Sequence, residues 1–188
     1  MTAITQSVDL DRRGRVAVLT VNNPPVNALS QHVRQGLRDG LKQAAADGGV
    51  AAIVITCAGR TFIAGADITE FGKPPKEPSL HEVLDLIESS PKPVVAAIHG
   101  TGLGGGREVT LACHNRVGAK TARFGLPEVK LGILPGAGGT QRLPRVVGVP
   151  KPLPMIVSAA PSGGSDALKA GLIDEIVESD LTAAGVAF

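Results

Sequence analysis

Apolar positions along this chain switch between a strand period and a helix period, and the switches divide it into elements. Residues 15–22, RVAVLTVN, set Val16, Val18 and Thr20 against Ala17, Leu19 and Val21. Both faces are apolar, which predicts a strand buried from both sides. Beyond the Asn23-Pro24-Pro25 turn a helix is expected from Leu29-Ser30 onward. Val33, Leu37, Leu41 and Ala44 or Ala45 recur at helical spacing, Arg34, Arg38, Asp39 and Lys42 fall on the other face, and Asp47-Gly48-Gly49 stops the run. A second apolar strand follows over residues 50–56, VAAIVIT. Strand, helix, strand in this order points to the α/β class.

The next stretch, residues 59–71 (GRTFIAGADITEF), carries Asp67 three residues before Glu70, a helix-start pattern with Asp as the cap. That places Ala64-Gly65-Ala66 just ahead of a helix N-terminus and makes the Ala66 N–H a candidate anion donor. Residues 72–78, GKPPKEP, read as an exposed, mobile loop with solvated lysines, and residues 79–87 as a short amphipathic helix through Leu80, Val83, Leu84 and Ile87.

Residues 92–113 are the stretch around which the rest is organised. The β-branched run Val94 to Ile98 predicts a strand, residues 100–106 a Gly-rich turn, and Glu108, Val109 and Leu111 a helix. So many glycines imply a backbone that another group approaches closely. Gly105 or Gly106 can offer a free N–H at the positive end of the helix dipole, and the Glu108 carboxylate in the first turn tilts back toward those donors. Glu108 taken alone is also an ordinary capping-box partner. Gly100, Gly102 and Gly105 spell a dinucleotide-binding fingerprint, which makes a dinucleotide-binding module a competing reading. Against it, no clean apolar second strand is expected, because NRVGAKTARFG is polar and broken.

Further along, Pro127 disfavours helix at Leu126 and removes a ladder N–H, so Glu128 is expected from an extended loop or edge. Its apolar neighbours Leu126, Val129, Leu131 and Ile133 would raise the pKa of its carboxyl. Residues 136–140, GAGGT, form another turn before a helix but lack the Lys of a phosphate loop.

Composition narrows the function. A net charge of +2 gives no electrostatic case for nucleic acid, and four Phe with no Trp or Tyr supply no stacking platform. Hydrophobic residues make up 43% of the 188, ample for a core. Cys57 and Cys113 read as buried free thiols of a reducing compartment, and His32, His81, His99 and His114 lack ligand spacing, so no metal is expected. The first fifteen residues contain acids and no apolar segment, and no run approaches membrane-spanning length; a soluble cytoplasmic protein is expected.

Taken jointly, Phe62-Ile63-Ala64-Gly65-Ala66-Asp67-Ile68, the Gly104-Gly105-Gly106 turn with Glu108, Phe124-Gly125-Leu126-Pro127-Glu128 and the run from Leu131 to Thr140 (LGILPGAGGT) resemble the enoyl-CoA hydratase/isomerase (crotonase) family, closest to the hydratase/isomerase portion of multifunctional β-oxidation enzymes. The resemblance implies an α/β spiral of repeated β-β-α units. It implies one such domain over residues 1–188 with its core at 15–176, lacking the C-terminal helices that complete the relatives' pocket and trimer. A homo-oligomer of trimer type, or fusion to a dehydrogenase domain in a longer chain, is the implied assembly. The implied substrate is an acyl-CoA thioester, coenzyme A being part of the substrate and no cofactor being added.

Matched residue by residue, the resemblance makes the backbone N–H groups of Ala66 and Gly105 the oxyanion hole and Glu108 and Glu128 the catalytic carboxylates. Ala64, Gly65, Asp67, Ile68, Gly104 and Pro127 become substrate contacts. The two carboxylates are expected to titrate as a coupled pair. The family chemistry is addition of water to a 2-enoyl thioester, with 3-enoyl to 2-enoyl isomerisation as a second activity. Two departures from the family pattern support an alternative, a catalytically impaired module that binds acyl-CoA or a protein. Arg107, where relatives carry a small or apolar residue, must either find a partner or snorkel, and pairing with Glu108 would keep that carboxylate ionised and disable it. Pro152 and Pro154 fall in a helical stretch, where an interior Pro costs about 3 kcal/mol and would displace the segment.

Overall fold

The strand read over residues 15–22 is one rung of a seven-stranded sheet in the computed structural model, which describes residues 1–188. In chain order the strands are β1 (Thr2–Thr5), β2 (Val8–Arg13), β3 (Val16–Val21), β4 (Ala52–Cys57), β5 (Val94–Ile98), β6 (Thr101–Leu103), β7 (Asn115–Ala119), β8 (Arg123–Gly125), β9 (Ser162–Gly163) and β10 (Glu175–Val177). The helices are α1 (Gln31–Ala46), α2 (Leu80–Glu88), α3 (Gly105–Ala112), α4 (Gly139–Val147), α5 (Pro152–Ser158), α6 (Gly164–Ala170) and α7 (Leu181–Ala187). The large sheet runs β1-β2-β3-β4-β5-β7-β10, antiparallel through the first two pairings and parallel thereafter. A smaller sheet joins β6, β8 and β9. The paths β5-β6-α3 and β7-β8-α4 repeat: a strand in the large sheet, one in the small sheet, then a helix. This is the expected β-β-α spiral.

Strand alternation explains why both faces of β3 and β4 are apolar. Leu19 and Val21, with Ile53 and Ile55, point into the larger core beside Val33 and Leu37 of α1 and Leu84 and Ile87 of α2. Val18, Val54, Val95, Ala97 and Val117 point the other way, where Leu181 and Ala184 of α7 cover them. Cys57 and Cys113 are both buried and free, and burial pushes both thiols up, Cys113 to about 12. No helix is long and apolar enough to cross a membrane.

Several expectations change. NRVGAKTARFG holds two strands, β7 and β8, because the parallel partners β5 and β6 supply their ladder bonds whatever the local polarity. The Gly-rich turn is itself divided by β6, so Gly100 and Gly105 do not share the single tight turn a dinucleotide fingerprint requires. Pro152 and Pro154 are the first and third residues of α5, where their missing N–H groups have no intrahelical partner to lose, so the feared penalty does not arise. A proline does lie inside a helix, but it is Pro144 of α4. Arg34, read as part of the polar face of α1, is buried.

Candidate active site

Two segments carry free backbone donors to one place. The chain leading out of residue 63 passes Ala64, whose N–H donates to the Val26 carbonyl, and Gly65, whose carbonyl accepts from Leu29 N–H at 2.9 Å. Those bonds pin the strand-like stretch against the lead-in to α1, and the next amide, Ala66 N–H, donates to no protein acceptor. On the other side, α3 begins at Gly105, whose amide, as the first of the helix, also has no partner. A carbon placed on the Gly105 Cα would lie 3.9 Å from Ala66 N, so the two donors are neighbours.

Glycine is needed at two points to bring them together. Gly104 has φ 53° and ψ −127°, a conformation closed to L side chains, and a Cβ there would come within 3.2 Å of Glu128 Oε1. Gly106 presses its Cα against the Ile63 carbonyl, which a Cβ would meet at 2.1 Å. The approach foreseen from the glycine content is therefore made by the chain itself.

Both carboxylates face the same cleft of about 330 Å³, which is also lined by Ala64, Gly65, Ala66, Ile68, Gly104, Gly105 and Pro127. Glu108, 3% exposed, does not take up the pairing that was one of the two courses open to Arg107. Its Oε1 accepts from Ala137 N–H and Gly139 N–H, both at 2.8 Å, while Oε2 makes no protein hydrogen bond. Those two amides come from the glycine turn ahead of α4. The sequence marked that turn as a failed phosphate loop and as part of the family run, with no role in holding Glu108. Arg142 steadies it by donating to the Ala137 carbonyl and to Glu88 of α2. Glu128, 8% exposed, starts a 3-10 turn over Glu128–Leu131 instead of standing on an edge strand, and its Oε2 is sealed without a partner. Burial first, and then the nearby Glu108, raises its pKa.

A raised carboxyl pKa makes a stability prediction. The folded chain keeps a proton on Glu128 that the unfolded chain releases, so folding loses stability as pH rises from the ordinary 4.5 through the folded value. Glu128→Gln is expected to raise the midpoint of thermal unfolding near neutral pH, with the gain shrinking on acidification toward 4.5. An equal gain at every pH would assign it to packing instead.

Asp67 departs from its expected place. It caps only a 3-10 turn, Ile68–Glu70, through Thr69 N–H, and it faces a neighbouring groove of about 510 Å³ that holds Lys73 and Lys76. Glu70 does not reach back to it as a capping box would. It accepts instead from Gln31 N–H at 2.7 Å and from Arg34 Nη1 at 2.8 Å. Arg34 also donates to the carbonyls of Leu29, Lys76 and Pro78, so the loop read as mobile is fastened at its far end. The spacing of α1 hid this, because an Arg on a helix flank is usually solvated. Arg34→Met should destabilise the fold by about 1.5–3 kcal/mol, the range for lost charged hydrogen bonds. Hydrogen exchange should rise first between residues 67 and 80; uniform loosening would refute the local role.

Apolar groups missed by the sequence reading complete the cleft: Phe71, Leu80, Leu134 and Ala137. Phe71 and Leu134 are 59% and 70% exposed at its mouth, more apolar surface than solvent contact alone favours.

A β-β-α spiral with paired carboxylates beside free amides defines a crotonase-type fold. The chain belongs to the enoyl-CoA hydratase/isomerase family, whose family model matches residues 11–184. It is 49% identical over 165 residues to the peroxisomal bifunctional enzyme of Danio rerio, covering 88% of this chain and 23% of that one. It is also 49% identical over 180 residues to a probable enoyl-CoA hydratase of Bacillus subtilis, covering 92% and 68%. Among solved structures, enoyl-CoA hydratase from Bacillus anthracis superposes with a TM-score of 0.90 at 33% identity, over 97% of this chain and 74% of the other. Carnitinyl-CoA hydratase from Mycobacterium avium does so at 0.89 and 36%, over 97% and 73%. The chain thus spans about a quarter of the bifunctional relative's length.

Proposed function

We propose that this chain hydrates 2-enoyl-CoA thioesters in the cytoplasm, with 3-enoyl to 2-enoyl isomerisation as a second activity in fatty-acid β-oxidation. The observation that carries the reading is the convergence of two unengaged amides and two carboxylates on one apolar-walled cleft. The thioester oxygen would accept from Ala66 N–H and Gly105 N–H. Water adds at C3 while its proton passes to Glu108, the C2–C3 π electrons move toward the carbonyl, and negative charge gathers on the oxygen facing the two donors. Losing one such donor typically costs about 2.7–4 kcal/mol of transition-state stabilisation. The enolate then takes a proton from Glu128 at C2, and solvent exchange restores both carboxyls.

The environments suit these roles. The partnerless oxygen of Glu128 and its raised pKa favour a carboxyl that holds a proton to give. Glu108 has one oxygen anchored by two amides and one free to orient water. For isomerisation, Glu128 alone moves a proton between C2 and C4. Charge stabilisation and both proton transfers come from the chain itself, so the proposed chemistry uses no added cofactor, and coenzyme A enters with the substrate. The apolar rim fits an acyl chain, and Ala64, Gly65, Ile68, Gly104 and Pro127 are the proposed walls around the thioester. Membership of a homo-oligomer or of a longer multifunctional polypeptide belongs to the same proposal, the latter in keeping with the bifunctional relative.

The test is loss of the conjugated thioester absorbance when the protein is mixed with a short 2-enoyl-CoA, beside a titration with a saturated acyl-CoA. Turnover is expected; tight binding without turnover would replace the enzyme with an acyl-CoA binding module.

A further inference from the structure

Arg107 is the largest fully buried side chain, 2% exposed. It precedes Glu108 on α3 yet belongs to the other side of the helix. Its guanidinium lies 5.3 Å from the centre of the Phe124 ring, Nη1 donates to Thr110 Oγ1 at 3.2 Å, and Nη2 is sealed from solvent with no partner. No carboxylate answers this charge. Glu108 is held by the Ala137 and Gly139 amides, and Asp174 sits 3.9 Å from Arg116 and accepts the Arg116 backbone N–H. Arg116, itself buried, donates through Nη1 to the Thr110 and Cys113 carbonyls, and its Nε has no partner. The Asp174 carboxylate is thus engaged by Arg116, and Arg107 is left without one. Burial, and secondarily Arg116, pulls the Arg107 pKa down to about 9, still protonated at neutral pH.

A buried charge without a partner is strongly unfavourable, and arginine escapes it poorly by losing its proton. Beside Arg107 lies a small void of about 10 Å³, lined also by Phe124, Leu126, Leu143, Met155 and Leu172. A space of roughly 10–15 Å³ holds one water-sized species. A carboxylate or phosphate is far larger; a halide, somewhat larger than a water, is the smallest anion that could enter. The lining offers no acid and no polar side chain besides the guanidinium, so a water there would solvate Arg107 without neutralising it.

We propose that this void is a structural halide site, occupied by chloride, which supplies the missing negative charge to Arg107 from within the core between α3, α4 and α5. The site is separate from the cleft: a halide there acts on stability by binding the folded state alone.

Thermal unfolding of the full chain in sodium chloride and in sodium gluconate, at matched ionic strength, tests this. Chloride should raise the unfolding midpoint along a saturating curve, the folded-to-unfolded ratio growing about a hundredfold at a hundred times the dissociation constant. Arg107→Leu should lose the chloride response and be at least as stable as the parent chain in gluconate. Because that variant tests the site only if it folds, crystals of the unaltered protein grown in bromide give a second readout, an anomalous peak beside Arg107. Equal midpoints in the two salts, a chloride response that survives Arg107→Leu, or a void holding only water would each overturn the proposal.

Discussion

Replacing Glu128 with Gln is expected to lower kcat for both hydration and isomerisation by about a hundred- to ten-thousandfold, the usual worth of a positioned general acid or base. Both reactions need a proton delivered to or removed from C2, and Glu128 is the acid whose burial and neighbour raise its pKa. Gln keeps the volume and removes only the ionisable proton, so substrate affinity should change little while turnover falls. Glu108→Gln should behave differently. The amide oxygen can still accept from Ala137 and Gly139 N–H, so the glycine turn stays in place, but the water loses its base. Hydration should fall far more than isomerisation. Steady-state rates with 2-enoyl-CoA and 3-enoyl-CoA separate the two, and equal, parent-like hydration in both variants would remove the assignment.

A single methyl group at Gly106 should be nearly as damaging, although residue 106 carries none of the proposed chemistry. Its Cβ would meet the Ile63 carbonyl oxygen at 2.1 Å and the Ile63 carbonyl carbon and Cβ at 2.7 Å, contacts with backbone that no rotamer can relieve. The only escape is for α3 to move away from the segment that leads to Ala66, which separates Gly105 N–H from Ala66 N–H. A displacement of about 1 Å at a reacting centre can cost about a hundredfold in rate, and overpacking typically destabilises by about 1–3 kcal/mol. Gly106→Ala should therefore lose at least that rate factor in kcat/KM while remaining folded, as thermal unfolding and activity on one sample would show. Full activity would mean that the two segments need not touch.

The parts of this arrangement that were legible in the sequence are those with local signatures. β3, β5, α1 and α3 announced themselves by apolar period, and the glycine run announced a close approach at α3. The four quoted segments, weak singly, specified the family jointly because their order and spacing are fixed by one cleft. What stayed hidden depended on partners distant in the chain. β7 is polar in composition and becomes a strand through pairing with β5 and β10. The edge hairpin of β1 and β2 was unread, since its residues alternate less clearly and gain their order from β3. Arg34 looked like a solvated flank residue until Glu70, thirty-six positions away, took one of its donors. The sequence offered Glu108 as one partner for Arg107, whereas neighbours on a helix point about a quarter-turn apart or more. The anchoring of Glu108 by Ala137 and Gly139 had no signature beyond a turn of small residues.

The central claim is that Ala66 N–H and Gly105 N–H grip one thioester oxygen. Isotope-edited infrared spectroscopy of an acyl-CoA labelled at the thioester carbonyl measures that grip through the carbonyl stretch of the bound ligand. A clear shift to lower frequency on binding, diminished in Gly106→Ala, is the predicted result; a bound carbonyl vibrating as it does in water would contradict the account.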